Sequence, residues 1–122
     1  MAKHPIVHLE LSAKEPKAAG EFYERLFGWK FETDEKLGYT QFSPEDEGGV
    51  GGGFNPIDDN TPAGSVVAYV GTDDIAASLK KAESLGGKAL MPKTEIPGVG
   101  WFGMFMDPSG NRVGLYTTAN PQ

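Results

Sequence analysis

The chain repeats its own element order once, and that repeat limits its architecture more than any other feature of the sequence. A shift of 58 residues lays "EPKAAGEFYERLFGWKF" over "DDIAASLKKAESLGGKA", so that Ala18-Ala19 meets Ala76-Ala77 and Gly28 meets Gly86. Both segments read as helices. Ala18, Ala19, Phe22, Tyr23, Leu26 and Phe27 recur at helical spacing, with Pro16 suited to the first turn and Gly28 to the residue past the end. Ile75, Leu79, Ala82 and Leu85 form the second apolar stripe, which stops at Gly86. One strand candidate precedes each helix ("HPIVHLELS" and "SVVAYVG") and three follow it. Those are "WKFET", "YTQFS" and "GVGGGFN" in the first half, and "KALMPKTEI", "WFGMFMD" and "RVGLYTT" in the second. The loop "NPIDDNTPAG" divides the halves into module 1, about residues 1–60, and module 2, about residues 61–122. Neither βαβββ half can bury its sheet alone, so duplication predicts that the two act together. The expected fold is α+β: two βαβββ modules forming a cupped mixed sheet, with helices outside and a cavity inside.

Length and charge narrow the function. A chain of 122 residues is one domain with room for a core. It has no cysteine, which removes disulfides, thiolate metal sites and cysteine nucleophiles. Its net charge is −6, and its Lys and Arg are dispersed, so neither nucleic acid nor an anionic membrane is an expected partner. The opening "MAKHPIVHLELSAKEP" has no long apolar run, so neither a signal peptide nor a membrane span is expected, and the predicted location is cytoplasmic.

The turn and strand "DPSGNRVGLYTT" (107–118) raise a specific question. Val113, Leu115 and Thr117 share one strand face, and Arg112, Gly114, Tyr116 and Thr118 share the other. A glycine inside a strand marks a bulge or a close approach. Something should therefore need the space at Gly114.

These residues, with "IVHLELSAKEPKAAGEFYERLFGW" and "GGKALMPKTEIPGVGWFGMFMDPSGNRVGLY", resemble the vicinal oxygen chelate superfamily of glyoxalase I, bleomycin-resistance proteins and extradiol dioxygenases. The resemblance covers essentially the whole chain and is closest to a small glyoxalase-like bacterial branch. It implies four cavity-facing metal-ligand positions in the metal-dependent members. The first falls on His8. The second falls near Val50 to Gly53, the third at or beside Val67, and the fourth, normally Glu, on Gly114. Only His8 carries a donor of the required type. No cofactor is therefore expected, and no metal site is assigned.

Local residues do not rebuild such a site. His4 and His8 would lie about 13 Å apart on a strand at roughly 3.3 Å per residue, too far to share one ion. Glu10 is two residues from His8 on the same face, and the pair offers two ligands where catalytic zinc usually has three. His8 and Glu10 are instead candidate catalytic residues, with imidazole as general base and the carboxylate orienting it. The plainer alternative is a hydrogen-bonded histidine in a groove beside an exposed strand carboxylate.

The run "GGVGGGF" fails the phosphate-loop pattern, because its last position is Phe54 and Asn55-Pro56 follows where a helix would have to begin. A bulged strand permitting close approach is expected there. Tyr39, Val67, Tyr69, Trp101, Gly114 and Tyr116 join His8 and Glu10 as candidate ligand-binding residues around an aromatic-walled cavity. "IPGVGW" (96–101) is either a mobile lip or a plain connection. The expected function is metal-free binding of a small hydrophobic or aromatic ligand by a homodimer. The rival is a lyase or isomerase of the glyoxalase type that uses His8 and Glu10, either alone or with a divalent metal completed by a partner subunit or by water.

Overall fold

The computed structural model describes residues 4–36, 38–44, 48–59 and 61–118. Asn60, within the expected dividing loop, and Met1 to Lys3 of the opening run lie outside the described residues. The elements are β1 (Ile6–Ala13), α1 (Pro16–Phe27), β2 (Lys30–Asp34), β3 (Tyr39–Ser43), β4 (Gly52–Pro56), β5 (Val66–Gly71), α2 (Ile75–Ser84), β6 (Lys88–Ile96), β7 (Gly100–Met106) and β8 (Arg112–Thr118). The protein is a mixed α+β fold, and βαβββ occurs twice, as the repeat predicts. The chain divides into a first unit, His8–Val67, and a second, Ala68–Gln122 with Met1–Val7. The expected division near residue 60 is thus displaced. Residues 4–7 join the second unit because the Gly71 amide donates to the Pro5 carbonyl at 2.9 Å and His4 Nδ1 bonds the Gly71 carbonyl at 3.0 Å.

In the first unit the strand order is β2-β3-β4-β1, with β1 parallel to β4 and the other pairs antiparallel. Alternation sends Leu11 and Ala13 of β1, Phe42 of β3 and Phe54 of β4 to one face, where α1 packs with Ala19 and Tyr23. Phe42 and Phe54 are almost fully buried. Trp29 stacks on Phe42 with ring centres 4.7 Å apart, and Tyr23 lies 5.2 Å from Trp29. Each such pair adds about 0.5–1.5 kcal/mol beyond area burial.

The face of α1 differs from the expected stripe. Ala19, Gly20 and Tyr23 meet the sheet, whereas Phe22, Leu26 and Phe27 are 59%, 56% and 60% exposed. Gly20 is the cause: a Cβ there would stand 2.6 Å from the Phe31 ring, so the helix approaches the sheet along its glycine. Gly28 ends α1 with φ 80°, as its position suggested.

In the second unit the order is β5-β8-β7-β6, with β5 parallel to β8. Ile75 and Leu79 of α2 bury against Leu115, with Val70, Ala89, Trp101 and Phe105 around them. The Asp74 side chain caps α2 by accepting from the Ala77 amide at 2.9 Å, a contact worth about 1 kcal/mol. Leu85 was expected to extend this apolar stripe. It caps the helix instead and is 71% exposed. The outermost strand, β6, carries register shifts between Ala89 and Met91 and between Met91 and Thr94, around Pro92.

The segment 96–101 is a tight hairpin connection between β6 and β7. Its Val99 amide donates to the Ile96 carbonyl at 2.9 Å, and Gly98 adopts φ 75°. Among the described residues no helix is long and apolar enough to cross a membrane.

Candidate functional site

His8 and Glu10 are two apart on β1, so they share the face opposite α1. Glu10 pairs with Gly53 of β4, and Gly53 pairs with Gln41 of β3. Tyr39, two residues from Gln41, lies on that same face. Its ring crosses the Gly53 backbone, and a Cβ on Gly53 would fall on the Tyr39 hydroxyl. Glycine thus opens the passage through which the phenol reaches Glu10. The Tyr39 hydroxyl donates to the Glu10 carboxylate. His8 Nε2 lies 2.8 Å from the Tyr39 oxygen and 3.2 Å from Glu10 Oε2.

Glu10 is 7% exposed, which is unusual for a carboxylate. Burial alone would raise its pKa. Hydrogen bonds from His8 and Tyr39, the charge of His8, and a hydrogen bond from Asn55 outweigh burial and hold the carboxyl below its ordinary value. The His8 side chain keeps 28% of its surface exposed. A buried, ionised carboxylate is therefore linked to a partly accessible imidazole through a phenol.

Of the sequence candidates, the structure brings His8, Glu10 and Tyr39 together. Gly53 and Asn55 belong with them and were missed as participants. Gly53 and Asn55 alternate on β4, and the glycine run that ends at Gly53 is the stretch where the sequence already suggests a close approach. The expected bulge is absent, since β4 pairs with β1 in unbroken register from Leu9↔Gly52 to Ala13↔Pro56. The close approach is real, because a Cβ on Gly52 would collide with the Leu9 carbonyl.

The second unit holds a counterpart. Tyr69 pairs with Gly114, and the Tyr69 ring fills the space where a Gly114 side chain would stand. Gly114 therefore makes room for Tyr69. Tyr116 lies on the Gly114 face, with its hydroxyl 3.4 Å from the Val99 carbonyl. Trp101 does not join them. It pairs with Thr117, on the alternate face of β8, and packs with the α2 core beneath the ammonium of Lys93, 4.7 Å from the ring centre. Trp101 is thus a residue of the α2 core and not of the candidate ligand-binding face, because the β7–β8 register decides its side. Val67, the last residue of the first unit, is 4% exposed on β5.

The positions that the resemblance assigns to metal do not fit an ion. Val67, Gly53 and Gly114 have no donor side chain, and tyrosine rings occupy the space over both glycines. Among the described residues no three His, Asp or Glu side chains group as a metal site would need.

A profile of the Glyoxalase/Bleomycin resistance protein/Dioxygenase superfamily matches residues 5–115. The chain belongs to this superfamily. It is 28% identical over 115 residues to the Mycobacterium bovis protein named "Putative glyoxylase CFP32", covering 88% of this chain and 43% of that one. It is 28% identical over 116 residues to the anthracycline biosynthesis protein DnrV of Streptomyces peucetius, covering 83% and 42%. The superfamily member described here thus spans less than half the length of these curated relatives. A Streptomyces coelicolor methylmalonyl-CoA epimerase, solved with 2-nitronate-propionyl-CoA, superposes with a TM-score of 0.67 at 18% identity, over 97% of this chain and 96% of that one. At that identity the likeness shows the glyoxalase fold alone.

Proposed function

We propose that this chain is a metal-free, small-molecule-binding member of the superfamily, and that its ligand is aromatic or hydrophobic with a polar group directed at His8, Glu10 and Tyr39. One observation carries this reading: a carboxylate is kept ionised and buried on the sheet face opposite α1, where the α1 core makes no use of it. Such a group weakens folding unless its partners compensate, and arrangements of this kind concentrate at functional sites. The named relatives support a small-molecule role, since one acts in anthracycline biosynthesis and one neighbour of the same fold was solved with a CoA ester. Tyr69, Gly114 and Tyr116 are proposed as ligand-contacting residues of the second unit considered by itself. The cytoplasm is the proposed location, and a homodimer the proposed assembly.

Native mass spectrometry of the purified protein, followed by calorimetric titration with planar aromatic compounds, tests the reading. Binding that His8→Ala weakens while thermal stability is kept supports it. Binding unchanged in His8→Ala refutes the placement.

The second reading, a lyase or isomerase of the glyoxalase type, draws on the same hydrogen-bonded imidazole and carboxylate, which together could move a proton. Turnover of the hemithioacetal of methylglyoxal and glutathione, lost in Glu10→Gln, would favour it.

A further inference from the structure

We propose that α1 is the contact between two copies of this chain, laid antiparallel about a two-fold axis so that Leu26 of each copy seats in a hollow on the other and Glu21 meets Arg25. This rests on the homodimer proposed above and names the surface that forms it.

The first observation is an apolar surface that the fold does not need. The least exposed residues of α1 are Pro16, Ala19, Gly20 and Tyr23, and those of α2 are Ile75, Ser78, Leu79 and Ala82. Both rows have i, i+3, i+4, i+7 spacing. Matching them sets Phe22 on Lys81 and Arg25 on Ser84. Leu26 has an apolar counterpart, Leu85, which is exposed as well. A helix of this repeat thus accepts a charged side chain where α1 carries an exposed phenylalanine. Exposed apolar side chains that form a patch mark contact surfaces.

The second observation is shape. A hollow on the outer side of α1 is lined by Ala18, Glu21, Phe22, Arg25 and Leu26. The first four again stand at i, i+3, i+4 and i+7. Four residues so placed form the hole that receives a side chain of a facing helix when two helices interlock. Ala18, with its short side chain, leaves the floor of the hole open.

The third is charge. Glu21 and Arg25 are one turn apart on the same flank of the helix. A parallel pairing about a two-fold axis would set Glu21 on Glu21 and Arg25 on Arg25. The antiparallel pairing sets each against its opposite and opposes the two helix dipoles. One register satisfies shape and charge together. With Leu26 of one copy centred over the hole of the other, Arg25 comes within about 2 Å, along the axis, of the level of the other copy's Glu21 at 1.5 Å rise per residue.

The contact lies on the helix side of the first-unit sheet and does not involve the opposite face, which carries His8 and Glu10. It uses one helix of 12 residues from each copy. That is at the small end for protein interfaces, so the dimer should dissociate on dilution.

The test is sedimentation of the full chain over a series of concentrations, with circular dichroism to show that each variant is folded. The wild type should approach twice the chain mass as its concentration rises. Glu21→Arg and Arg25→Glu each bring like charges together at two symmetric places, and each should weaken the dimer about tenfold or more. Mixed in equal amounts, the two variants should pair with one another, because every contact across the axis is again between unlike charges. The mixture should recover most of the wild-type association. The i, i+4 ion pair within each helix stays broken in the mixture, so restored helix stability does not account for the recovery. A wild type that stays monomeric overturns both this interface and the homodimer. A dimer indifferent to both reversals overturns the interface and leaves the homodimer standing. Two weakened variants that fail to recover on mixing overturn the antiparallel register.

Discussion

Gly114 and Tyr69 are partners in the β5–β8 ladder, and the tyrosine ring fills the space in which a side chain at 114 would stand. The same device recurs in the first unit, where Tyr39 crosses Gly53. In both places a glycine on a strand is explained by an aromatic ring of the same unit. A ring laid over a bare backbone is as much a packed contact as two interlocked side chains, and both partners are needed for it.

Gly114→Ala should therefore cost about 1–3 kcal/mol through overpacking against the ring. Because the two residues touch, the costs should not add. In a Tyr69→Ala background the same substitution should cost much less, and a double-mutant cycle in urea measures the coupling. An equal cost in both backgrounds would place the collision elsewhere.

Glu10 makes stability depend on pH. Its folded pKa lies below the ordinary value of 4.5, so its contribution is fully present above that value and is lost as the pH falls through the lower folded value. Glu10→Gln should remove this part of the acid-side decline. Tyr39→Phe removes one hydrogen bond from the carboxylate, so the decline should begin at the same pH but be smaller and end at a higher pH than in the wild type. Chemical denaturation at a series of pH values below about 5 reads both effects.

Metal affinity should match that of an isolated histidine. Calorimetric titration with Ni²⁺ or Zn²⁺ should show weak binding with no defined stoichiometry, since His8 and Glu10 provide too few ligands. Tight one-to-one binding abolished by His8→Ala would contradict the metal-free reading.

Assembly can be tested on α1. Phe22 and Leu26 stand exposed beside Glu21 and Arg25, which lie four residues apart on the same helix. Two copies of the helix packed antiparallel about a two-fold axis would join these apolar side chains and set each Glu21 near the other copy's Arg25. Sedimentation of the wild type should give twice the chain mass. Phe22→Glu should give a folded monomer, and a dimer that survives this change would exclude α1 as the contact.

The repeat, the helix stops and the strand faces of β1 and β8 were legible in the sequence, because local periodicity and turn residues determine them. What the sequence left open depends on register and on close approach. Phe22, Leu26 and Phe27 share the helical spacing of the residues that meet the sheet. Spacing gives the stripe, but Gly20 decides which edge of it touches the sheet. Trp101 was misplaced because its facing depends on which residue of β8 it pairs with. His8, Glu10 and Tyr39 were each singled out, and the pairing of His8 with Glu10 follows from their spacing on β1, yet the hydrogen bonds of Tyr39 were not foreseeable. They require β1, β4 and β3 to lie side by side in one register, with Gly53 where the phenol crosses.

The shifted register of β6 bears on how the folded protein behaves at high concentration. A strand at the end of a sheet offers a row of unmatched amide and carbonyl groups to any passing extended peptide. Here the strand's register with β7 shifts twice, and the irregular stretch includes Pro92, which has no amide hydrogen to give, beside the charged Lys93. A second molecule trying to extend the sheet here would lose its hydrogen-bond ladder within a few residues. The irregular hairpin thus protects a folded chain against growth into fibrils, a protection that replacing Pro92 and straightening the strand would remove.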